Sequence, residues 1–149
     1  MSEKTTTPQI STNLHNIFAT SESLEEDGAW VTVNDLLGIK IKIRRLRSDA
    51  VVKAFERIIR ETYDETLLRD PSQMNEEQSM LVLKRQLAEA VLIDWTGVRD
   101  AVSGKEIPYS PQAALQMMGM KDFREFVYEK ANARDTFREQ ADKDAEGNS

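Results

Sequence analysis

AWVTVNDLLGIKIKIRRL, residues 29–46, is the stretch on which the fold turns. In its second half Ile39, Ile41 and Ile43 alternate with Lys40, Lys42 and Arg44. A period of two is that of a half-buried strand with one wet face. AWVTV (29–33) reads as its partner, and Asn34-Asp35-Leu36-Leu37-Gly38 as the connection. A ribbon of two strands is marginal in water, so the isoleucine face must lie on helices.

Those helices follow along the chain. Ser48 and Asp49 open one, spanning about 49–68, with Val51, Ala54, Phe55, Ile58, Ile59 and Thr62 on one stripe. Asn75 with Gln78 forms a capping box for the next, about 76–95. Its stripe of Met80, Leu83, Leu87, Ala90 and Val91 widens through Leu81, Ala88, Leu92 and Trp95, which makes it the central helix, stopped by Gly97. Ser110-Pro111 starts a short helix, about 111–118, and the last runs about 122–138. Leu14, Ile17 and Phe18 fit a short N-terminal helix. Residues 1–13 and 139–149 are polar and predict flexible ends. The fold expected is one α+β domain over 14–138, predominantly α. An N-terminal two-stranded β-ribbon, about 29–46, packs on about four or five helices.

Composition narrows function by exclusion. With no cysteine and a single histidine, His15, the chain has no thiolate nucleophile and no two-imidazole metal site. The six glycines stand singly, so no phosphate-cradling loop is present. There is no G-x-S-x-G elbow, and the acidic residues around Asp94, Asp100 and Glu106 do not follow calcium-loop spacing. The expectation is a protein that is not an enzyme and uses no metal or cofactor. No apolar run is long enough for a membrane span, and no secretory signal opens the chain, so a cytoplasmic protein is expected.

Charge is uneven within a net of −6. Residues 40–60 hold eight basic side chains against Asp49 and Glu56 alone. Such a segment suits docking on an acidic protein surface, or the plain solvated face of a ribbon and helix. It lacks the interleaved aromatics of a single-stranded nucleic-acid site.

From residue 92 the chain reads LIDWTGVRDAVSGKEIPYSPQAALQMMGMKDFREFVYEKANARDTF, ending at 137. The succession Trp95-x-Gly97-Val98, Gly104, Ile107-Pro108-Tyr109-Ser110-Pro111, then Phe123-x-x-Phe126-Val127 resembles the tail assembly chaperones of long-tailed bacteriophages. Trp95, Gly97, Pro108, Tyr109, Ser110, Pro111, Phe123 and Phe126 carry the likeness as a fold signature, not as an active site. The resemblance implies a non-enzymatic protein in the cytoplasm of an infected bacterium. It binds the tape measure protein, helps recruit tail tube protein and is absent from the mature virion. No residue role passes over from it.

Methionine adapts to irregular partners, so Met117, Met118 and Met120 are the candidate contact surface, with core filling at a helix corner as the alternative. Lys40, Lys42, Arg44 and Arg45 are the second candidate, for acidic stretches of a tail protein. Self-association stays open; nucleic acid and membrane are not expected partners. Two rival functions remain: a small structural tail or neck protein of the virion, and a nucleic-acid-binding regulator using the basic strand 40–47.

Overall fold

The computed structural model describes residues 10–138. The tail expected at 139–149 and most of that expected at 1–13 lie outside the described residues. Thr12 already belongs to a helix: its hydroxyl accepts from Leu14 N and its backbone N–H donates to His15 Nδ1, capping α1 (Asn13–Phe18). A second short helix, α2 (Glu22–Asp27), leads into β1 (Ala29–Asn34) and β2 (Ile39–Ile43).

The sheet has three antiparallel strands, in the order β1-β2-β3, and β3 (Leu92–Thr96) comes from far along the chain. This corrects the expected fold of an N-terminal two-stranded ribbon on helices. Residues 92–96, read as the end of the central helix, instead cover the second edge of β2. Leu92 and Trp95 stand three apart, a helical spacing that in a regular strand would put them on opposite faces. Here the register slips between Lys42 and Ile43, leaving Ile93 as the extra residue of a bulge. The bulge turns both Leu92, opposite Ile43, and Trp95, opposite Ile41, into the core. The inner rows of the sheet are therefore Ala29–Ile43–Leu92 and Val31–Ile41–Trp95. The outer rows are Trp30–Lys42–Asp94 and Thr32–Lys40–Thr96.

Among the described residues seven α-helices accompany the sheet. The first long one, α3 (Asp49–Thr62), buries Val51, Ala54, Ile58 and Ile59. It ends six residues earlier than the stripe suggested. Tyr63 turns extended, and Asp64 caps a separate α4 (Glu65–Arg69). Its predicted cap, Ser48, makes no side-chain cap bond; Glu26 of α2 accepts from Asp49 N instead, at 3.0 Å. The Asn75–Gln78 box opens α5 (Glu76–Gln86). That helix widens into one π turn, Leu87–Val91, before β3 begins. Four of the five π-turn residues are buried, so the molecule's centre is this turn rather than a continuous helix.

Ser110 Oγ accepts from Ala113 N and Pro111 stands in the first turn of α6 (Pro111–Met117). The last helix, α7 (Lys121–Asn132), stops short of the predicted 138. A 3₁₀ turn, Arg134–Phe137, completes the body and places Phe137 in the core beside β1. Its carbonyl accepts from Ser21 N at 2.8 Å, tying the C-terminal end of the described chain to the N-terminal one.

Candidate interaction surfaces

The signature residues of the 92–137 stretch build a clamp on the π turn. Where a helix stops inside a core, its last carbonyls need donors from elsewhere. The Tyr109 hydroxyl lies 2.8 Å from Ala88 O and 2.7 Å from Leu92 O. Arg44 supplies the neighbours: its backbone N–H donates to Val91 O at 2.9 Å, and its guanidinium to Ala90 O at 3.1 Å. Trp95 packs edge-on against Tyr109 and donates from Nε1 to Ile107 O at 2.7 Å. Burial pushes the Tyr109 phenol above its ordinary value, so it stays a neutral donor.

Gly97 is not a helix cap. It follows β3 with φ of +78°, and a Cβ there would run into the carbonyl oxygen of Gly38. The connection beyond it turns back through the isolated bridge Arg99–Glu106. Pro108 is exposed before Tyr109, and Phe123 and Phe126 are half-buried against the core.

The residues proposed as contacts are not brought together. Met118 is fully buried, Met117 half-buried, and Met120, in the link between α6 and α7, 52% exposed. Met118 is thus core filling, and of these three methionines only Met120 is exposed. Lys40 and Lys42 stand on the outer sheet face, where the Lys42 ammonium lies 6.0 Å from the Trp30 ring centroid. Arg44 and Arg45 have inward work. Arg44 also donates from Nε to Glu26 O, at 2.8 Å. Arg45 pairs with Glu25 at 2.5 Å and lies over the Phe137 ring, 5.8 Å from its centroid. Burial raises the Glu25 carboxyl, but hydrogen bonds from Thr20 and Arg45 outweigh it and hold it below the usual value.

A groove that sequence reasoning missed runs between α5 and α7. It has a volume of about 860 Å³ and is walled by Met80 and Leu83 on one side and Tyr128 on the other. Met80 is 37% and Tyr128 44% exposed. The groove adjoins a second depression holding Met74, Phe55 and Val82, which shares Leu83, Tyr128 and Asn132 with it. A signal was present: α5 carries a wide apolar face, and the first turns of that face find no helix to cover them. Along the α7 wall Glu125 and Glu129 make no ion pair among the described residues, while Arg124 is tied to Met118 O at 2.8 Å. A third depression, which shares Asn132 with the groove, is lined by Arg47 and Ser48 and by Glu25, Glu26 and Arg45.

Among the described residues no three His, Cys, Asp or Glu side chains converge in a group able to hold a metal ion. No described helix is long and apolar enough to cross a membrane.

No curated protein and no solved structure matches the chain. A family model described as YdaY prophage protein matches residues 46–148, more than two thirds of the length. That span holds α3 to α7, the π turn and β3 with its Tyr109 clamp, and the chain belongs to the YdaY prophage protein family, a protein of phage origin.

Proposed function

We propose that this prophage protein is a tail assembly chaperone: a non-enzymatic protein that binds the tape measure protein in the bacterial cytoplasm, helps bring tail tube protein to it and leaves before the virion is complete. The observation that carries the reading is the open groove between α5 and α7. Met80, Leu83 and Tyr128 hold an apolar surface at the solvent boundary, in a larger depression than the one beside the exposed Leu14 and Phe18 of α1. An exposed apolar channel with polar rims is a surface for another polypeptide. Methionine and tyrosine suit reversible contact with a long helical partner, since both give large area with little fixed geometry. Phage origin and the 92–137 succession supply the biological setting.

The test is co-expression with the tape measure protein of the same prophage, followed by affinity capture and by purification of finished particles. A chaperone is captured with the tape measure protein, keeps it soluble and is missing from particles. Its presence in washed particles replaces this reading with that of a structural tail or neck protein. Binding to DNA that weakens about one log unit per log unit of salt for each phosphate contact would favour the regulator.

A further inference from the structure

We propose that the groove between α5 and α7 takes one amphipathic helix of the partner in a single orientation, its basic flank along Glu125 and Glu129 and its acidic, C-terminal end toward Arg47, Ser48 and Asn132. The identity of that partner as the tape measure protein rests on the chaperone reading above; the groove's polarity rests on the geometry alone.

The walls decide the form of the occupant. Both are helices whose backbone groups are bonded within themselves, so they offer an incoming extended chain no row of main-chain donors and acceptors. A helix brings its own backbone satisfied and needs only a stripe at i, i+3, i+4 spacing, which an interhelical groove receives. The apolar floor of Met80, Leu83 and Tyr128 sets that stripe.

The rims decide the direction. Glu125 and Glu129 stand one turn apart on the α7 wall and make no ion pair among the described residues. Two like charges at that spacing repel, and a bound cation between them relieves the repulsion. The other end differs: its two carboxylates are already engaged, Glu25 by Arg45 and Glu26 by the Asp49 backbone N–H. Arg47 and Asn132 line both depressions there, and neither side chain has a partner among the described residues. Ser48 is only 5% exposed, and its Oγ has no hydrogen-bond partner, because Glu26 has taken over the cap of α3. A buried hydroxyl without a partner is costly unless a ligand atom completes it. Three free donors converge on one end of an apolar channel, which fits a carboxylate and the orphan carbonyls of a helix C-terminus.

A second copy of the chain is the weaker occupant. Among the described residues the exposed apolar helix, α1, has six residues and no acidic side chain to meet Arg47.

The experiment is affinity capture of the co-expressed tape measure protein by four forms of the full chain: unaltered, Met80→Glu with Tyr128→Glu, Glu125→Lys with Glu129→Lys, and Arg47→Glu. Failure of the unaltered chain to capture it overturns the chaperone reading itself. Given capture, the proposal expects each altered form to bind at least tenfold more weakly while melting within a few degrees of the unaltered chain. Full capture by the Met80/Tyr128 form overturns the groove. Full capture by both charge-reversed forms overturns the orientation. Should the Met80/Tyr128 form fail to fold, the two charge forms, altered only at exposed positions, decide alone. Because the chain has no cysteine, Tyr128→Cys carrying a benzophenone label marks one site. The cross-linked peptide is expected to hold an apolar i, i+3, i+4 stripe with a basic flank and an acidic C-terminal end; an extended, alternating segment would overturn the helix. Gel filtration should give a monomer, and a dimer abolished by Tyr128→Glu would assign the groove to self-association.

Discussion

The rings of Trp95 and Tyr109 meet edge to face, 5.3 Å between centroids and 80° between planes, and together they lock the connection after β3 onto the end of the π turn. Edge-to-face contact adds to the area both rings bury. Its further consequence is polar, since the same tyrosine supplies the hydroxyl beside Ala88 O and Leu92 O. Tyr109→Phe keeps the rings and removes that donor. The expected loss is about 1–3 kcal/mol in urea unfolding, with native-like circular dichroism. An unchanged midpoint would mean that water reaches those carbonyls.

Two glycines of similar backbone geometry separate strain from collision. Gly97 (φ +78°) and Gly104 (φ +74°) share the left-handed region, but only at Gly97 would a Cβ meet Gly38. Gly104→Ala should cost about 1 kcal/mol, the conformational part alone. Gly97→Ala should cost clearly more, about 3 kcal/mol or beyond, because the β2 hairpin end must also shift. Thermal melts of the two variants side by side make the comparison, and equal losses would remove the close approach as a constraint.

The methionines divide by burial. Met118→Ala empties a fully buried site and should cost about 2–5 kcal/mol. Met120→Ala, at an exposed link, should stay within about 0.5 kcal/mol. If Met118→Ala reduces capture of a partner only in step with lost stability, its role is confined to the core.

Acid should weaken the fold through Glu25 and Glu89. Burial raises the Glu89 carboxyl, but hydrogen bonds from Arg85 and Arg57 hold it below its ordinary 4.5, as Thr20 and Arg45 do for Glu25. Arg85 donates to Glu89 Oε2 at 2.6 Å, and the Arg57 guanidinium lies 3.0 Å from Oε1. In the unfolded chain both carboxyls return to about 4.5. Their contribution is complete above that value and is lost as pH falls through the lowered folded values. Melting temperature should hold steady from pH 7 to about 5 and decline below about 4.5. Glu89→Gln should melt lower at pH 7, by about 1 kcal/mol given its partial exposure, and show a shallower acid decline.

What the residues alone determined is the local grammar. The alternation over 39–43 made a strand, the stripe from Val51 to Ile59 made a buried helix face, and Asn75–Gln78 and Ser110-Pro111 set helix starts. These are effects of neighbours within a few positions, and spacing reports them directly. Tertiary structure decided the rest. Leu92 and Trp95 have helical spacing, yet the open edge of β2 recruits them as a strand, and a bulge at Ile93 supplies what periodicity cannot encode. Ser48 looked like a cap until Glu26, twenty-two residues upstream, reached the same amide. Met80 and Tyr128 gained a meaning only when α5 and α7 came side by side and left a channel between them. Each of these depends on which groups compete for one partner in space, and distance along the chain holds no record of that competition.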